Sequence, residues 1–199
     1  MSVIRTAILS LVLAFGAGAV LSQDFQKGLA AYEAGDYATA LEEWRPLAEK
    51  GSAASQFNLG LMYGNGTGVL QDYAEAVKWY RLAAEQGDAS AQYNLGVMYD
   101  KGTGVLQDYA EAVKWFRLSA EQGSVDAQHI LGAMYDKGTG VLQDYVMAHM
   151  WLNIAAANGH EKAGEFRQKI AGQMTSADIS EAQKMARECM NNKYKNCGF

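Results

Sequence analysis

The chain has 199 residues, 49% hydrophobic and 20% charged, which is enough apolar material for a packed core of one or two domains. Its formal net charge is −5 and no long run of Lys or Arg occurs, so the basic stripe of a nucleic-acid binder is missing and nucleic acid is not an expected partner. Pro46 is the only proline, which favours helix, and the 21 glycines must then fall mostly between helices, because glycine weakens helix interiors.

Residues 1–22 have the layout of a secretory signal peptide. Arg5 supplies the positive end, 7–21 is a nearly unbroken apolar run, and Val20 and Ser22 suit the positions flanking a cut after Ser22. The run is shorter than the ~20 residues that cross a bilayer. The expectation is a periplasmic or secreted protein with no stable membrane insertion after cleavage; the competing possibility is an uncleaved anchor. Residues 23–51 then form a short helix pair marked by Ala31-Tyr32, Gly35-Asp36-Tyr37, Ala40-Leu41 and Trp44. Pro46 in its second helix is expected to kink that helix.

From 52 to 159 the sequence repeats every 36 residues, as 52–87, 88–123 and 124–159. The first two copies are identical at 27 of 36 positions, the second and third at 20 of 36. Each copy predicts helix, loop, helix. In the second, Asp88 caps a helix whose Gln92, Leu95, Gly96 and Tyr99 share one face at spacings of three and four. Gly102-Thr103-Gly104 stops it, since glycine adopts the left-handed conformation that ends helices. Asp108 with Glu111 caps the second helix, whose apolar face is read as Tyr109, Ala112, Trp115 and Ala120. Two short helices cannot bury their faces alone, so copies must stack. Gly60, Gly96 and Gly132 would let helices approach, and Trp79, Trp115 and Trp151 would fill the spaces between.

Beyond 159 the pattern changes. A helix is predicted over 160–170, a cap at Thr175 and Asp178, and a closing helix over 179–190. In the third copy Met147, Met150 and Asn153 replace Glu111, Lys114 and Arg117 of the second. Such methionines are expected to be core against capping helices, because exposed apolar clusters are uncommon. The two cysteines, Cys189 and Cys197, are expected to pair as a staple in an oxidising compartment. Closing a loop this short is worth about 2–3 kcal/mol in the chain-entropy model. A redox or metal pair would need C-x-x-C spacing, which is missing.

The pattern A/S-Q-x-x-L-G-x-M-Y, then G-T-G-V-x-x-D, then A-x-x-W and A-x-x-G, resembles the Sel-one-like repeat family, a branch of the tetratricopeptide superfamily, over 52–159. Residues 23–51 resemble the tetratricopeptide version without the long glycine loop. The resemblance implies an all-α, right-handed solenoid of stacked antiparallel helix pairs. It also implies a protein or peptide partner held on the concave side, which the first helices line. A monomer is expected.

No motif for chemistry competes with this. The glycine loops lack the preceding strand and the G-K-[ST] of a phosphate loop. His129, His149 and His160 form no H-E-x-x-H, and His129 with His149 would make only a thin metal set. Neither G-x-S-x-G nor S-x-x-K occurs. Glu75, Glu111, Asp100 and Asp136 recur as caps and solvated faces. No catalytic residue, cofactor or metal is therefore expected. Two alternatives stand beside an interaction scaffold. One is an exported penicillin-binding or β-lactamase-like hydrolase of the cysteine-rich branch, whose cysteines within each repeat are missing here. The other is a binder of peptidoglycan fragments.

Positions that differ among the copies point to where a partner would sit. On the first helices they are Ala54/Ser90/Asp126, Phe57/Tyr93/His129, Asn58/Asn94/Ile130 and Leu61/Val97/Ala133. Their spacing of three and four makes one stripe. The expected partner-binding residues are Phe57, Asn58, Leu61, Tyr93, Asn94, Val97, His129 and Ile130, with Phe57 and Tyr93 as aromatic anchors. The competing possibility is that the stripe only closes the core.

Overall fold

The structure, a computed structural model, describes residues 23–195 and residue 197; the expected signal peptide at 1–22 lies outside them. All regular structure among the described residues is α-helical. The helices are α1 (23–33), α2 (Tyr37–Glu49), α3 (Ala53–Asn65), α4 (Tyr73–Glu85), α5 (Ala89–Lys101), α6 (Tyr109–Ala120), α7 (Val125–Lys137), α8 (Tyr145–Ala157), α9 (Ala163–Ala171) and α10 (Ser176–Asn191). The chain divides into two compact units, one ending at Leu82 and the other beginning at Ala83.

The starts and stops follow the local sequence. Ser52, Asp88 and Ser124 each accept a hydrogen bond from the backbone three residues on, and so begin α3, α5 and α7. Gly66, Gly102 and Gly138 end the same helices with φ of 69°, 65° and 66°, a conformation that penalises any residue with a Cβ. A glutamine then ties each loop back. Gln71, Gln107 and Gln143 donate to the carbonyls of Gly64, Asp100 and Asp136 at 2.8, 2.7 and 2.6 Å. Asp72, Asp108 and Asp144 accept from the first turn of α4, α6 and α8.

In the first unit, Trp44 is buried with Ala40, Leu47, Leu59 and Met62. Its indole N–H donates to the Phe25 carbonyl at 3.2 Å. Gly28 makes room for this ring, since a Cβ there would meet it at 2.5 Å. α2 runs as one continuous helix through Pro46.

The second unit buries Leu95, Phe116, Leu131, Trp151, Leu152 and Ile154. The buried face of α6 is Ala112, Val113, Phe116 and Ala120, so the expected face needs correcting. Tyr109 is 41% exposed and Trp115 only half-buried. The apolar stripe of α6 is centred one residue away, on Phe116, whose ring lies against Gly96. Trp79 is likewise half-buried, and only Trp151 of the three is core. Met147 and Met150 are buried in α8, which packs against both α9 and α10. α9 begins at Ala163, three residues later than expected, because His160 hydrogen-bonds back to the Ala155 carbonyl and a turn follows. α10 opens with the expected capping box of Thr175 and Asp178, and near its end Cys189 is joined to Cys197 by a disulfide.

An amide ladder runs through this unit. Gln92 and Gln128, both buried, donate to the Ala84 and Ala120 carbonyls. Their own carbonyl oxygens accept from Gln122 at 2.7 Å and Asn158 at 2.9 Å. Tyr194 closes the series by donating to Asn158 Oδ1 at 3.0 Å. Each of these buried amides is thereby paired, which removes the penalty of an unsatisfied polar group.

Candidate interaction surface

Of the varied positions of the first helices, Ala54, Ser90 and Asp126 are exposed and the others flank the buried face. Leu59 and Gly60 on α3, Leu95 and Gly96 on α5, and Leu131 and Gly132 on α7 are buried. The adjoining Phe57, Asn58, Leu61, Tyr93, Asn94, Val97, His129, Ile130 and Ala133 are all half-buried. Each aromatic is braced from behind. Phe57 packs on Tyr80, with ring centroids 6.0 Å apart, and Tyr93 packs on Phe116 at 5.8 Å. A braced, half-exposed aromatic offers contact area without losing much side-chain freedom on binding.

In the second unit, Tyr93 and Asn94 open onto a hollow of about 390 Å³. Its other walls come from Ser90 at the start of α5, from Gln122 and Ser124 in the α6–α7 turn, and from Asp126 on α7. Burial pushes the Tyr93 hydroxyl's pKa up, and the Asp126 carboxylate adds to the shift. A second hollow, of about 510 Å³, recurs one repeat further on, lined by Val125, Asp126, Asn158, Gly159, His160 and Lys162 among others. Asp126 belongs to both.

The third copy of the stripe differs. His129 stacks on His160 at 4.0 Å with nearly parallel rings, and meets Phe166 of α9 edge-on at 5.3 Å. His160 Nε2 lies 3.9 Å from Asp126. Burial holds the His129 pKa below the usual histidine range, with His160 and Lys162 pushing the same way and Asp126 opposing. His149 is buried inside α8, and its pKa too is lowered, by burial and by Arg167. Among the described residues, no group of three His, Cys, Asp or Glu side chains gathers in a way that could hold a metal.

The sequence placed Tyr93, Asn94, Phe57 and His129 on the stripe, and the structure brings Tyr93 and Asn94 together in one hollow. Sequence reasoning missed Gln122 and Ser124 as walls, and Phe166 and His160 as the cover on His129. The amides at 86, 122 and 158, each just before a glycine, were the available signal for the first pair.

The Sel1 repeat family model matches residues 53–88, 89–124 and 125–160. Among solved structures, the chain is similar to a protective antigen present in uropathogenic Escherichia coli strains that displays an SLR fold. The identity is 42%, the TM-score 0.69, and the match covers 78% of this chain and 34% of the antigen. The chain thus spans about a third of that protein's length. It is also similar to a Sel1 repeat protein from Oxalobacter formigenes, at 41% identity and a TM-score of 0.61, over 65% of this chain and 98% of the other. Among curated protein sequences none matches.

Proposed function

Because the chain belongs to the Sel1 repeat family, whose all-α solenoid repeats generally serve as protein-interaction scaffolds, we propose that it is a non-catalytic adaptor that holds a partner protein or peptide along the varied stripe of its first helices. The observation that carries this is the Tyr93–Asn94 hollow. A braced aromatic and an amide, both half-exposed, border a cleft at the junction of successive repeats. Aromatics so placed dominate the energetics of protein interfaces. Its expected workplace is the cell envelope or beyond. The Cys189–Cys197 disulfide suits an oxidising compartment, and among the described residues no helix is long and apolar enough to cross a membrane.

The test is a paired substitution, Phe57→Ala with Tyr93→Ala. Capture of the partner by the purified chain is compared with capture by the double variant, with cooperative unfolding checked in both. The expected result is loss of capture with folding retained. Unchanged capture, or a variant that no longer folds, would refute the stripe as the binding face. A nitrocefin assay on the same material addresses the hydrolase alternative: turnover traceable to one residue would overturn the adaptor proposal.

A further inference from the structure

The chemistry of the Tyr93 hollow is lopsided. Asp126 contributes a carboxylate whose side chain is 70% exposed, and no base is among the residues lining this hollow. Gln122 has its amide donor engaged with Gln92 Oε1, so it can offer a ligand an acceptor. Ser124 Oγ already accepts from Ala127 N. Ser90, Asn94 and the Ser124 hydroxyl can donate or accept, so the one fixed charge lining the hollow is the Asp126 carboxylate. Beside these acceptors stands the Tyr93 ring, held by Phe116, whose close approach is allowed only because residue 96 is glycine.

Acceptor oxygens, a single exposed carboxylate and a fixed aromatic wall match one side chain better than any other. Guanidinium carries five N–H donors and no acceptor, is always charged, and stacks on aromatic faces. Lysine's compact ammonium would use the carboxylate but gain less from the ring. We propose that this hollow is a subsite for an arginine side chain of the partner polypeptide, with the Asp126 carboxylate as counter-ion and the Tyr93 ring as stacking wall. The proposal rests on the adaptor reading above and adds the charge of the ligand to it. The neighbouring hollow, one repeat further on, contains Lys162 and His160 as well as Asp126 and Glu161, so it lacks this anionic bias.

The experiment is an amide-resolved NMR titration of the labelled chain with acetyl-Gly-Arg-Gly-amide, set against the same peptide with citrulline, which keeps the shape and removes the charge. The expected result is saturable shifts at Ser90, Tyr93, Asn94, Gly123 and Asp126 with the arginine peptide, several-fold weaker with citrulline. Added salt should reduce them, since exposed charges are screened. Asp126→Asn, at an exposed position, should abolish the charge preference with the rest of the spectrum unmoved. Tyr93→Phe should retain binding and Tyr93→Leu should weaken it. Equal shifts with citrulline, an unaltered response in Asp126→Asn, or no response at all would overturn the subsite. Partner capture through the stripe could survive any of those results, so the two proposals fail separately.

Discussion

At Gly96 and Gly132 the packing requires the absence of a side chain. A Cβ at 96 would sit 2.9 Å from the Phe116 ring, and one at 132 would sit 2.6 Å from Leu152 Cγ. Gly96→Ala should therefore destabilise by about 1–3 kcal/mol, the usual cost of overpacking, despite alanine's better helix propensity. Gly164 is the control. It lies in α9 with nothing within 4 Å of a built Cβ, so Gly164→Ala should stabilise by about 0.4–1 kcal/mol. Urea denaturation of the two variants checks both signs. Gln128 makes a further residue-scale case. It is fully buried, donates to the Ala120 carbonyl and accepts from Asn158. Gln128→Ala should cost about 1–3 kcal/mol by leaving buried polar partners unmet, and a loss below 0.5 kcal/mol by the same denaturation would contradict the ladder's role.

Among the elements, the C-terminal helices concentrate what the repeat itself does not encode. Cys189 is buried near the end of α10 and joined to Cys197. Reduction should lower stability by about 2–3 kcal/mol, seen as a fall in the thermal midpoint with dithiothreitol. The histidines give a pH dependence of known sign. Folded His129 and His149 have pKa values held below the ordinary one, so the unfolded chain takes up their protons first as pH falls. Their contribution is fully present above the unfolded value of about 6.5 and is lost as pH drops below it toward the folded values. Stability should therefore rise between pH 5 and 7.5, and His149→Gln should flatten that slope; a slope of opposite sign in the parent chain would contradict the burial argument. The caps, loops and register of α3 to α8 were legible because each is fixed by local chemistry at 36-residue spacing: Asp88, Gly102, Asp108. The buried face of α6 was not. Trp115 and Phe116 are adjacent and both aromatic, and which of them is core depends on the approach of α5 at Gly96, which is tertiary.

For the molecule as a whole, the same limit applies to the site. Comparing copies found the stripe, because positions that vary among otherwise matching repeats are those the common packing does not dictate. It could not find the hollow, whose Gln122 comes from the far end of the same repeat and Asp126 from the next one, nor the cover that His160 and Phe166 place on His129. The central claim, a partner held along that stripe, is tested most directly by photo-crosslinking in the native host. A benzoylphenylalanine is placed at Asn94 on the stripe, and at Lys114, exposed on α6, as control. The account predicts one discrete adduct of the same partner from Asn94 and none from Lys114. Adducts of equal strength from both positions, or none from Asn94 while Lys114 crosslinks, would contradict it.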